Sequence, residues 1–95
     1  MTRDKARAEV RDYLTDGRFE TDMARRVGYR TESQTPDGLP HARRYLEEEM
    51  SAVFDRLGFT TRIFENPIAG IAPVMLATRD EGAERTILGY GHGDV

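Results

Sequence analysis

The chain has no cysteine and no tryptophan, and only four phenylalanines and four tyrosines among its 95 residues. Without cysteine there is no disulfide, no thiolate metal site and no cysteine nucleophile. No apolar run approaches the ~18–20 residues that a membrane helix needs. Met1–Leu14 is charged throughout and lacks the apolar segment of a signal peptide. A strongly basic balance is missing too. The net charge of −3 and pI near 5.4 argue against a nucleic-acid or anionic-membrane surface, both of which need a net basic face. These absences leave a soluble cytoplasmic protein as the expectation. Hydrophobic residues make up 38% and charged residues 33%, a lean supply for the core of one small domain.

What is present begins with helical periodicity. In TRDKARAEVRDYL, Ala6, Val10, Tyr13 and Leu14 form one stripe on a charged rod, and Thr15-Asp16-Gly17 ends it. Phe19, Met23 and Val27 share a face of a shorter second helix, with Gly28 placed for a left-handed C-terminal residue. Residues 30–39 are polar turn formers and predict a loop. The clearest helix spans about Pro40 to Leu57, with Ala42, Leu46, Met50, Val53, Phe54 and Leu57 as its apolar stripe. Pro40 suits the first turn and Gly58 the far end. Arg43 and Arg44 lie four residues before Glu47 and Glu48, so the Glu47–Glu49 run predicts a solvated, ion-paired face rather than a carboxylate site.

After Gly58 the period becomes two. FTTRIFE predicts a half-buried strand, Val74–Thr78 a second, and Thr86–Tyr90 a third. Asn66–Pro73 is a loop, and Arg79–Arg85, with Asp80-Glu81-Gly82 inside it, predicts a hairpin connection between strands two and three. The third strand runs into GHGDV. In a strand, residues two apart point the same way, so His92 and Asp94 would project together. A metal-binding histidine commonly donates its other ring N–H to a carboxylate, and Asp94 is spaced to be that partner. A zinc site needs three or four protein ligands, and the other histidine, His41, is far off in sequence at the start of a helix, where it is expected to be exposed. Tyr13, Tyr29 and Tyr45 are expected as boundary packing residues, and Tyr90 as packing on the last strand. Ser33 and Ser51 have no histidine or acid at readable spacing, so a serine nucleophile is unsupported.

Three segments together resemble a known family. "ILGYGHGDV" (87–95) is similar to the apolar strand and Tyr-Gly-His-x-Asp-Val type motif of certain zinc metallopeptidases and deacylases. These include glutamate carboxypeptidase, acetylornithine deacetylase, succinyl-diaminopimelate desuccinylase, aminoacylase and carnosinase. "ARRYLEEEMSAVFDRLGFTTRIFE" (42–65) resembles the family's helix ending in Leu-Gly-Phe before its first strand, and "APVMLATRDEGAERTILGYGHGDV" (72–95) its following hairpin. One departure is "YRTESQ" (29–34), which keeps only the serine of a proline-serine pattern.

The resemblance implies that residues 1–95 are the N-terminal part of a larger catalytic domain. The expected architecture is an α/β fragment: N-terminal helices followed by three strands with one hairpin, the start of a three-layer zinc-exopeptidase-like domain. His92 would correspond to a zinc-ligating histidine and Asp94 to the aspartate that orients it, with two zinc ions in the complete enzyme and the remaining ligands in sequence after Val95. The implied activity is hydrolysis of an amide bond in a peptide or N-acyl amino acid by metal-activated water, with the 95-residue chain inactive alone. Exposed strand edges would favour self-association of such a piece. The competing expectation is a small self-contained α+β binding or interaction domain without catalysis. An arginine-rich nucleic-acid binder using Arg25-Arg26 and Arg43-Arg44 is disfavoured by the net charge.

Overall fold

A computed structural model describes residues 1–94. Helix α1 (Arg3–Thr15) and helix α2 (Arg18–Val27) form a helical hairpin. A long rod follows, built from α3 (Gly38–Arg44), a π-helical turn (Tyr45–Met50) and α4 (Ser51–Arg56), with right-handed helical backbone at each junction. Strands β1 (Thr60–Phe64) and β2 (Val74–Thr78) complete the order as a two-stranded antiparallel sheet. None of the helices among the described residues is long and apolar enough to cross a membrane.

Local chemistry accounts for these boundaries. The Thr2 hydroxyl accepts the Lys5 N–H at 3.2 Å and caps α1, satisfying one of the amides that an N-terminal turn leaves over. The α1–α2 corner is held by Tyr13, which stacks edge-on against Phe19 at 5.9 Å and donates its hydroxyl to Asp22 at 2.8 Å. At the far end of the rod Gly58 adopts φ +82°, a conformation that costs a residue with a Cβ but not glycine. The chain thereby reverses into β1, and Phe59 meets Phe54 edge-on at 5.3 Å. Gly28, expected to be left-handed, is instead right-handed at φ −67°. Its N–H continues to the Ala24 carbonyl, so α2 ends without a reversal.

The register pairs Thr61 with Ala77 and Ile63 with Met75. These four are half-buried, on the face that meets the rod, where the Ser51 hydroxyl reaches the Met75 sulfur at 3.7 Å. The opposite face carries the pairs Arg62–Leu76 and Phe64–Val74 and is exposed. Alternation along β1 and β2 is therefore as the period-two pattern predicts, yet the exposed face carries Phe64, Val74 and Leu76 beside Thr60, Arg62 and Thr78.

The sheet departs from expectation in its last member. Residues 86–90 form no strand, and the hairpin joins β1 to β2 across residues 65–73 rather than β2 to a third strand. The Asp80–Gly82 turn is in place, with the Gly82 N–H bound to the Asp80 carboxylate at 2.8 Å. Arg79, however, folds back to donate to the Leu57 carbonyl at 2.7 Å, and the chain that follows does not return along β2. A strand requires a laddered neighbour as well as an apolar pattern. Ile87, Leu88 and Tyr90 consequently stand 95%, 88% and 93% exposed, so Tyr90 does not pack. His41, expected to be exposed, is half-buried, while Tyr13, Tyr29 and Tyr45 are half-buried as boundary residues should be.

The whole is expanded. Its Cα radius of gyration is 15.7 Å, against about 12 Å for a compact domain of this length. Its accessible surface is 8076 Å², against roughly 5,500 Å² for a folded monomer of this mass. No hydrophobic side chain is fully buried among the described residues.

Candidate functional site

The GHGDV segment leaves the expected strand but keeps the expected pair. His92 Nδ1 lies 2.9 Å from Asp94 Oδ1, so the two side chains meet across irregular backbone rather than on one strand face. Val95, the last residue of the motif, lies outside the described residues. With Nδ1–H donated to the carboxylate, the imidazole is held in the tautomer whose Nε2 lone pair is free. That ring is 71% exposed, open to a further partner.

The second carboxylate oxygen is also engaged. Ser33, in the loop between α2 and α3, donates its hydroxyl to Asp94 Oδ2 at 2.5 Å. Hydrogen bonds from Ser33 first, and from His92 second, hold the Asp94 carboxyl below the usual carboxylate range. Backbone approach makes this meeting possible. A Cβ at Gly93 would lie 2.7 Å from Tyr45 Cε1, so the glycine lets the segment lie flat on that ring. Tyr45 in turn packs edge-on against Tyr29 at 5.6 Å, and Tyr29 donates its hydroxyl to Glu48 at 3.1 Å.

A second polar cluster lies where α2 meets the π turn. Glu49, 5% exposed, accepts from Arg25 Nε and Nη2 at 2.8 Å each and from Arg26 Nε at 3.2 Å. Arg25 also reaches Asp22 at 3.0 Å. The Arg25 hydrogen bonds, outweighing desolvation, hold the Glu49 carboxyl below its ordinary value and raise the Arg25 guanidinium above its own. This fork–fork arrangement is the strong form of an ion pair. Glu47 and Glu48 do form the i,i+4 pairs with Arg43 and Arg44 that the spacing predicts. Glu49 departs from that solvated run.

Sequence reasoning thus placed His92 and Asp94 together and missed both Ser33 and the Glu49 clamp. Glu49 could have been found, because it falls seven residues after Ala42 and three after Leu46, within the apolar stripe itself. Ser33 left no local signal, since its partner is far along the chain.

Zinc would find only part of a site here. His92 offers one imidazole, in contact with Asp94, but no group of three or more histidine, aspartate or glutamate side chains comes together to hold a metal ion among the described residues. The three-ligand minimum of a zinc site is therefore not met by these residues alone. Comparison with known proteins finds no matching family model, no matching curated protein and no matching solved structure.

Proposed function

We propose that residues 1–95 are the N-terminal part of the catalytic domain of a zinc-dependent peptidase or deacylase, acting on a peptide or N-acyl amino acid in the cytoplasm. His92 is the metal ligand of this piece and Asp94 the carboxylate that orients it. The observation that carries the reading is the 2.9 Å contact between His92 Nδ1 and Asp94 Oδ1, joined to the resemblance of the segments 42–65 and 72–95 to that family. A neutral imidazole that donates Nδ1–H to a carboxylate leaves Nε2 as its ligating atom. Bound zinc, two ions in the complete enzyme, would supply an activated water and a polarised amide carbonyl. The further donors would come from residues outside this chain, which alone is expected to hydrolyse nothing.

The sheet supports the three-layer part of the reading. A sheet covered by helices on both faces has apolar residues on both. Here Ile63, Met75 and Ala77 face the rod, while Phe64, Val74 and Leu76 lie on the uncovered side. The exposed Ile87 and Leu88 and the two open edges of the β1–β2 sheet are likewise suited to a larger sheet. In isolation the same edges favour pairing with a second copy. A self-contained binding domain would be expected to bury its apolar residues, and this surface excess runs against it.

Expression of the whole reading frame and assay on dipeptides and N-acyl amino acids tests the proposal. Zinc-dependent hydrolysis is expected, abolished by chelation and by His92→Ala. Asp94→Asn is expected to weaken metal affinity by about 10–100-fold, the usual cost of losing an orienting carboxylate. Undiminished hydrolysis in His92→Ala would overturn the assignment.

A further inference from the structure

The loop between α2 and α3 is far from GHGDV in sequence, yet it supplies the third member of the His92 site. Thr31, within this loop, and Gly38, where α3 begins, are buried. Its backbone is tied by the Thr31 N–H to the Tyr29 carbonyl at 3.0 Å, by Gly38 N–H to the Thr35 carbonyl at 3.1 Å, and by Leu39 N–H to the Pro36 carbonyl at 3.2 Å. Ser33 is thus presented from a segment with fixed ends. On the other side, the Gly93 backbone rests on the Tyr45 ring. Two independently supported segments therefore converge on one carboxylate, which accepts from Ser33 on Oδ2 and from His92 on Oδ1.

We propose that Ser33 is a positioning residue for His92, acting through Asp94. An aspartate carboxylate can rotate about its χ2 bond, and that torsion is broad. Rotation would exchange or withdraw the oxygen facing Nδ1. A hydrogen bond on the far oxygen removes this freedom and holds Oδ1 against the imidazole. The consequence is a preference for the tautomer protonated on Nδ1, with Nε2 available as a ligand atom. Charge-assisted O–H···O⁻ bonds are the short and strong kind, as the 2.5 Å separation requires. This role rests on the proposed metal-ligand reading for its use, but the geometric coupling itself can be measured without metal or substrate.

The test is the tautomer of His92 in the 95-residue chain labelled with ¹⁵N-histidine. Long-range ¹H–¹⁵N correlation spectra are recorded at about pH 8, above the ordinary histidine range. His41 is the other histidine, and His92→Ala assigns the signals. The wild-type chain is expected to be mainly Nδ1-protonated. Asp94→Asn should shift His92 toward the Nε2-protonated form. Ser33→Ala should shift it the same way by a smaller amount, and Ser33→Thr, which keeps a hydroxyl, should restore the wild-type spectrum. A His92 signal that moves in Asp94→Asn but not in Ser33→Ala overturns the role of Ser33 and leaves that of Asp94 standing. A signal that moves in neither overturns both. Loss of zinc-dependent hydrolysis from the complete enzyme is a separate matter: a tautomer response in a chain whose parent does not bind zinc would leave the coupling true and its proposed use wrong.

Discussion

Where α2 meets the π turn, a carboxylate is buried and gripped by two guanidinium groups. Beyond β2, by contrast, two aliphatic side chains and a tyrosine stand almost wholly in solvent. The first region buries what water solvates best, and the second exposes what water solvates worst. The difference lies in where each finds its partner. Arg25 and Arg26 sit on the adjacent helix, so the cost of desolvating Glu49 is offset by bidentate hydrogen bonds. Ile87, Leu88 and Tyr90 have no such neighbour among the described residues. An apolar segment of this length gains from burial at about 25 cal/mol per Å², and nothing within residues 1–94 provides it. The ionic region is complete in itself, whereas the apolar one is suited to a surface supplied by other residues.

The comparison can be broken most forcefully at Glu49. Glu49→Gln keeps the shape, removes the charge and turns one of the two acceptor oxygens into an NH2 donor that faces the Arg25 and Arg26 guanidinium groups. It is expected to lower stability by about 2 kcal/mol, read as a fall in the thermal midpoint followed by circular dichroism. An unchanged midpoint would mean that the clamp contributes nothing.

Acid should act on the same group more gently. The folded Glu49 carboxyl is held below its ordinary value, so folding favours its ionised form. That contribution is fully present above the ordinary glutamate range, about pH 4.3, and is lost as pH falls through the lower folded value. Melting curves across this range should show the gap between wild type and Glu49→Gln narrowing as pH falls, on top of a decline both share from other carboxylates held low, Asp22 and Glu48 among them. Parallel declines would place the acid sensitivity elsewhere.

The smallest effect on stability is expected in the exposed segment. Ile87→Ser with Leu88→Ser should change the unfolding free energy by less than about 0.5 kcal/mol, because those side chains touch almost nothing. The same double variant should lower the mass-average size seen by light scattering, if copies of the chain associate through this segment and the open strand edges. A larger loss of stability, or a wild-type chain that is strictly monomeric, would remove the contrast between the two regions.

Much of the helical part was legible because its signals are local. The stripe Ala6–Val10–Tyr13–Leu14 marks α1, and Gly58 marks the end of the rod through a backbone requirement that glycine meets. Period-two alternation in FTTRIFE and VMLAT likewise gave β1 and β2 within a residue of their bounds. The third strand was misread because TILGY carries strand propensity without a partner, and propensity cannot supply a ladder. Glu49 was misread because charge was weighed before position: its place in the apolar stripe outranked its membership of a three-glutamate run. That the His92 and Asp94 side chains would meet was legible from their spacing, although the strand thought to align them is absent. Ser33 was not, since a contact between a loop and a distant terminal segment leaves no periodic trace.

The central claim is that His92 begins a zinc site completed by residues outside this chain, and the most direct measurement is the nucleotide sequence on the far side of codon 95 in the source genome. The account predicts an open frame continuing for several hundred codons, with an aspartate, an adjacent glutamate pair and a further histidine as additional ligands and general base. A stop codon directly after Val95, with no such set encoded, would contradict it and leave the His92–Asp94–Ser33 contact without a metal to serve.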